Sequence, residues 1–429
     1  MSQKYKNGNC IPRAPLIRQK YIQPPKRHQM SYLATRLSLI QPSPTLAMTA
    51  KAAQMKSEGI DVIALSAGEP DFDTPDCIKE AAKAAMDRGL TKYTPVEGLA
   101  DLKKAIQAKL KKDNALDYGL DQIMAGAGGK QIIFNALMAT LNSGDEVIIP
   151  APYWVSYPDM VNLFGGIPKI IRCSESNAFK LTPDLLEAAI TVNTKWVILN
   201  SPSNPTGELY SKEDLESMGK VLERYPHVMV LCDDIYEYLV YDDKEFVTLA
   251  TVCPNLQDRC LVVNGVSKSY SMTGWRLGYG AGPKPLIKAM TMLQSQSTSN
   301  PCSITQAAAI AAINGDRTFL NDWCKSFAAR RDLTAKFINE IPGLSCRVPN
   351  GAFYLYINCE GVVGKRTPSG QILVNDNQFS QYLLSEVHVA VVSGDAFGLS
   401  PYFRISYATS ESVLTEACKR IQQAVEKLI

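Results

Sequence analysis

In Leu261-Val262-Val263-Asn264-Gly265-Val266-Ser267-Lys268-Ser269-Tyr270-Ser271-Met272-Thr273-Gly274-Trp275-Arg276-Leu277-Gly278-Tyr279-Gly280, an apolar run gives way to small and polar residues. The apolar start reads as a buried strand and the rest as a loop, so Lys268 sits where a strand ends. Lysine is unusual there, because desolvation disfavours its charged form and lowers its pKa. The same desolvation makes the amine nucleophilic enough to join an aldehyde as a Schiff base. Eight residues on, Arg276 offers a planar fork of donors suited to a phosphate. A lone Ser-Lys near a turn would read as solvated surface; Arg276 and the flanking glycines favour a site instead.

That strand is one of a series. From Asp121 onward, apolar runs at 123–125, 146–149, 170–172, 196–199, 228–231 and 261–263 alternate with helical patterns. The alternation predicts an α/β fold on a mostly parallel sheet with right-handed crossovers. Ligands on such a sheet gather at the carboxyl ends of its strands. Gly126-Ala127-Gly128-Gly129-Lys130-Gln131 lies at one such end, before a helix expected over 132–141. Small residues leave the helix N-terminus open, and its unpaired N–H groups and dipole suit an anion. No Ser or Thr follows Lys130, so this is not a Walker A loop.

Pro152-Tyr153-Trp154 ends the next strand and offers an indole, either to stack on a flat ring or to fill core. Asn200-Ser201-Pro202-Ser203-Asn204-Pro205-Thr206-Gly207 is turn-rich. Cys232-Asp233-Asp234-Ile235-Tyr236 puts an acid directly after a strand, where Asp233 serves a site or caps a helix. Before the sheet, a helix is expected over 43–58, then a strand at 62–65 running into Ser66-Ala67-Gly68-Glu69-Pro70; Gly68 there permits close approach to the backbone or simply turns the chain. After the sheet, apolar segments at 351–357, 389–392 and 403–407 predict a second, smaller sheet, with Arg404 in mid-strand. A buried arginine needs a planar partner.

Lys plus Arg (45) against Asp plus Glu (42) leaves only +3 over 429 residues, so the overall charge calls for neither nucleic acid nor membrane. The first 30 residues carry seven Lys/Arg, no acid and prolines at 12, 15, 24 and 25. They are expected to be a disordered basic leader, either an organellar targeting segment or a stretch ahead of a true start at Met30. Eleven cysteines without a C-x-x-C pair fit reduced thiols in the cytoplasm, and three scattered histidines do not suggest a metal centre.

Ser267-Lys268-x-Tyr270-x-Met272-Thr273-Gly274-Trp275-Arg276-x-Gly278-Tyr279 resembles the pyridoxal-phosphate lysine segment of class I aminotransferases, in particular the bacterial-type aspartate aminotransferases. The resemblance runs from about Ser43 to the C-terminus. It implies fold type I: a large domain (77–314) on a mostly parallel seven-stranded sheet, and a smaller α+β domain from 31–76 and 315–429. It implies that Lys268 holds pyridoxal 5'-phosphate and moves the substrate α-proton. Asp233 would face the pyridine nitrogen, Asn204 and Tyr236 the phenolic oxygen, and Trp154 the ring. Gly128, Gly129, Ser267 and Arg276 would hold the phosphate. Tyr93, in Thr91-Lys92-Tyr93-Thr94-Pro95, would touch the phosphate of a neighbouring subunit, implying a homodimer. Gly68, Trp154, Asn204 and Arg404 would contact substrate, Arg404 through its α-carboxylate. Lys130 would face the distal carboxylate or supply a second phosphate contact.

The reaction implied is L-aspartate plus 2-oxoglutarate to oxaloacetate plus L-glutamate, by a ping-pong mechanism. A prephenate-accepting or aromatic aminotransferase, or a pyridoxal-phosphate lyase on the same fold, is the alternative. A transcription regulator on this fold would need an N-terminal helix-turn-helix, for which a proline-rich leader is unsuited. Two departures stand out: Gly265 replaces the phosphate-binding serine of many class I enzymes, and 292–299 holds no arginine.

Overall fold

The computed structural model describes residues 32–429; the basic leader, with the disorder expected of it, lies outside them. Among the described residues the strands in chain order are β1 (Ile63–Ala64), β2 (Ile123–Gly126), β3 (Glu146–Ala151), β4 (Ile167–Arg172), β5 (Thr194–Asn200), β6 (Met229–Asp233), β7 (Cys260–Gly265), β8 (Gly278–Ala281), β9 (Ser345–Cys346), β10 (Tyr354–Asn358), β11 (Val389–Ala390), β12 (Val392–Ser393) and β13 (Tyr402–Ser406).

Seven of them form one sheet in the order β2-β8-β7-β6-β5-β3-β4. The strands β7, β6, β5, β3 and β4 run parallel, and β8 is antiparallel to both its neighbours. Alternate side chains feed two apolar layers. Val197, Leu199, Val230, Cys232 and Val262 enter one, and Trp196, Ile198, Leu231, Leu261 and Val263 the other. Burying one such aliphatic side chain stabilises by about 1.5–3 kcal/mol. The register sets Asn200 beside Asp233 and Asp233 beside Val263, so β5 and β6 end level and β7 runs two residues further.

β8 is the strand that the apolar pattern does not reveal. Its Gly278 backs onto the turn at Gly128 and Gly129, where a Cβ would strike their backbone, and Gly280 leaves room for Ile132. The helix expected over 132–141 is Gly129–Thr140, so its open end lies directly at the glycines.

A second sheet, β12-β13-β10-β9, is antiparallel and pairs Arg404 with Tyr356 on one side and Val392 on the other. Phe353, Phe403 and Ile405 pack there with Phe327, Leu383 and Ile421 from the helices Phe319–Asn339, Asp376–Val387 and Glu411–Glu426. The expected single strand at 389–392 is two: β11 pairs with β1 in a two-stranded sheet, and after Val391 the chain joins the four-stranded sheet as β12. The helix Pro44–Ser57, capped by Ser43, packs on β1, β11 and β12.

Candidate active site

A cavity of about 250 Å³ opens at the carboxyl ends of β5, β6 and β7 and is walled on its far side by Tyr354 of β10 and Arg404 of β13. Lys268 projects into it three residues after β7. The strand ends at Gly265, where the chain leading into β8 approaches so closely that a Cβ would lie 2.8 Å from the Leu277 carbonyl oxygen and 2.9 Å from Gly278 Cα. Sterics thus exclude a serine at 265, and Ser267 lines the cavity in its place.

The Lys268 Nζ donates to the Gly68 carbonyl at 2.5 Å. Burial pushes its pKa down to about 8; Glu69 opposes the shift, and Arg404 and Arg276 add to it. Asp233, the last residue of β6, is buried and accepts a hydrogen bond from the Tyr157 hydroxyl at 2.6 Å. Its pKa is pushed up to about 6 by burial, against the pull of Tyr157, the Ile235 N–H and the Lys268 charge. It caps no helix.

A chain of amides links that acid to Arg404. Asn200 Nδ2 donates to the Asp233 carbonyl, Asn204 N–H to Asn200 Oδ1, and Arg404 Nη1 to Asn204 Oδ1, each at 2.8 Å. Arg404 Nη2 donates to the Ser66 carbonyl at 2.7 Å, while its Nε has no hydrogen-bond partner. The residue is 2 % exposed, and among the described residues no carboxylate lies within ion-pair distance of it. A buried guanidinium left without an acid is costly unless an anion arrives. Tyr236 is buried under Lys268, with its hydroxyl 2.8 Å from that of Tyr354.

At the other end, Gly128 caps the helix Gly129–Thr140 with φ 86°, in a region that side chains avoid. A Cβ there would collide with the Arg276 guanidinium, so the missing side chain lets that fork rest against the helix N-terminus. Arg276 is left-handed (φ 54°) and braced by its Nη1 hydrogen bond to the Thr273 carbonyl at 2.8 Å. The fork and the free first-turn N–H groups of Gly129 and Lys130 make an anion cradle. Lys130 Nζ lies 4.8 Å from the Trp154 ring centre and, among the described residues, has no ion-pair partner. Partial desolvation and Arg276 lower its pKa.

Gly68, Gly129, Lys130, Trp154, Asn204, Asp233, Tyr236, Ser267, Lys268, Arg276 and Arg404 therefore share one cavity, with Gly128 directly behind it. Tyr93 does not reach it and is 92 % exposed. Sequence reasoning missed Tyr157, Asn200 and Tyr354. Asn200 ends a strand, like Asp233, and that position was its only signal; the two tyrosines gave none, being set by pairings 76 and 118 residues away.

A family model described as aminotransferase class I and II matches residues 60–421. This chain belongs to that family. Its aminotransferase relatives include an aspartate aminotransferase of Rhizobium meliloti (strain 1021), 56% identical over 395 residues that span 92% of this chain and 96% of the relative. A probable aspartate/prephenate aminotransferase of Rickettsia felis is also 56% identical over 395 residues, 92% of this chain and 97% of the relative. The crystal structure of the Rhizobium meliloti aspartate aminotransferase matches with a TM-score of 0.90 and 55% identity, covering 92% of this chain and 99% of that one. The Thermus thermophilus aspartate aminotransferase with maleate matches with a TM-score of 0.86 and 38% identity, covering 92% and 100%. The seven-stranded sheet with its flanking helices is thus the fold-type I architecture of these aminotransferases.

Proposed function

We propose that this aminotransferase depends on pyridoxal 5'-phosphate and moves an amino group between L-aspartate and 2-oxoglutarate, giving oxaloacetate and L-glutamate in two half-reactions. The observation that carries this reading is a pair of cations, Arg404 and Lys130, that have no ion-pair partner among the described residues and lie in one cavity with Lys268. Two cations suit the two carboxylates of a dicarboxylic amino acid. The aspartate aminotransferases among its relatives support the same substrate.

The residues fit the cofactor. The cradle of Gly128, Gly129, Lys130, Ser267 and Arg276 would take its phosphate, Trp154 would cover its ring, and Asn204 and Tyr236 would face its phenolic oxygen. Asp233, ionised above about pH 6, would accept from its ring nitrogen. Once bound, pyridoxal phosphate supplies an aldehyde conjugated to an electron-withdrawing ring. Arg404 orients the α-carboxylate with a planar fork. Lys268 Nζ would take the proton from the substrate α-carbon and deliver it to the cofactor side rather than back to that carbon; the Gly68 carbonyl aims the amine, and a pKa near 8 suits a base working near neutrality. Asp233, held by the Tyr157 hydroxyl, would keep its negative charge facing the ring nitrogen.

Tyr93, exposed and outside its own cavity, would complete the phosphate site of a second copy, making the enzyme a homodimer. The aspartate/prephenate aminotransferases among its relatives favour prephenate as an additional acceptor. All ten described cysteines are free, which supports the cytoplasm as its location; no helix among the described residues is long and apolar enough to cross a membrane.

Incubating the cofactor-loaded protein with one amino acid at a time tests the reading. Aspartate and glutamate are each expected to bleach the visible band and release one 2-oxo acid per site, with 2-oxoglutarate or prephenate restoring it. Release of ammonia instead would assign a lyase.

A further inference from the structure

Tyr354 is a cavity-lining side chain to which no role has yet been given. It stands at the start of β10, is fully buried, and touches three parts of the machinery. Its hydroxyl lies 2.8 Å from that of Tyr236. Its ring lies under the Arg404 guanidinium, 4.5 Å from the ring centre. Its hydroxyl also presses on Gly68, where a Cβ would come within 2.9 Å, and the Gly68 carbonyl is the acceptor of Lys268 Nζ.

We propose that Tyr354 is a positioning residue: its hydroxyl donates to Tyr236 and so aims the Tyr236 proton into the cavity, while its ring fixes the plane of Arg404. This rests on reading Tyr236 as a contact to the cofactor's phenolic oxygen and Arg404 as the carboxylate fork. Of two paired hydroxyls only one donates, and Tyr236 can give its proton to an anionic oxygen only by accepting from Tyr354. The cation over the Tyr354 ring polarises its O–H and makes it the better donor. Burial raises both phenols and Arg404 opposes the rise at both, but only the Tyr354 ring lies directly under the guanidinium. A phenylalanine would fill the same space, so packing alone does not call for the hydroxyl.

Two substitutions separate hydroxyl from ring, measured on the pyridoxal-phosphate-loaded protein. Tyr354→Phe keeps the ring and its volume. Its dissociation constant for maleate, a dicarboxylate with no amino group, should stay within about twofold of the unsubstituted protein, while kcat with aspartate falls about five- to tenfold, the effect of one hydrogen bond. The pH midpoint of the visible band should also rise, because a weaker donor at the phenolic oxygen favours its protonated form. Tyr354→Leu removes the ring and should weaken maleate about tenfold as well. Unchanged kcat and midpoint in Tyr354→Phe would overturn the hydroxyl's role. Equal weakening of maleate by both substitutions would overturn the ring's. Failure of the unsubstituted protein to give a visible band would remove the underlying cofactor reading, a failure seen without either variant.

Discussion

At the scale of single residues, the site is a set of charges held away from their preferred states. Lys268 is an amine made less basic by burial and by two arginines, and only its neutral form attacks an aldehyde. The rate at which the cofactor-free protein takes up pyridoxal phosphate should therefore rise with pH through about 8 and level off above it. A stopped-flow pH series checks this; a rate still climbing toward pH 10 would mean an ordinary lysine. Lys268→Ala should abolish the covalent band while leaving the cofactor bound without a covalent link. The charge-bearing residues were legible because chemistry dictates their type: a lysine after a strand, an acid after a strand, an arginine in mid-strand. Tyr157 and Tyr354 were not, because a tyrosine reads as core until its hydroxyl partner is known, and those partners are distant in sequence.

At the scale of elements, the decisive contact is between the helix Gly129–Thr140 and the turn before β8. Gly128 and Gly278 lack side chains where the two backbones and the Arg276 fork converge. Gly128→Ala would drive a methyl group into that fork and impose a backbone conformation costing about 1–3 kcal/mol. The affinity for pyridoxamine phosphate, measured by calorimetry, should fall about five- to a hundredfold for such a cost, whereas pyridoxamine without the phosphate should bind as before. Equal losses for both ligands would place the anion elsewhere. The same glycines explain what the hydrophobic pattern could not give. The parallel strands announced themselves as runs of Val, Ile and Leu because both faces are covered. β8, reading Gly-Tyr-Gly-Ala, has space constraints where the others have apolar surface. At 389–392 the apolar run was right, but a change of sheet at Val391 leaves no mark on periodicity.

At the scale of the whole molecule, the cavity is built from two sheets and, on our proposal, two subunits. If Tyr93 serves its neighbour, a protomer carrying Tyr93→Ala and one carrying Lys268→Ala should complement each other. Their hybrid dimer would hold one site with both lesions and one with neither. Its activity should be about half that of the unsubstituted dimer, as two-fold symmetry requires, and well above that of either parent homodimer; no recovery would confine Tyr93 to its own subunit. The loop bearing Tyr93 was legible only through its likeness to a family, since an exposed aromatic has no local signal of a distant partner.

The guanidinium of Arg404, with no acid among the described residues within ion-pair distance, carries a last consequence. It hangs from β13, yet its hydrogen bonds run to Ser66 beside β1 and to Asn204 beyond β5, so one side chain ties three separate parts of the chain together. A carboxylate docking there would do more than occupy a subsite: it would neutralise the charge at the knot, and the whole assembly should melt at a higher temperature in solutions of simple organic acids than in their absence.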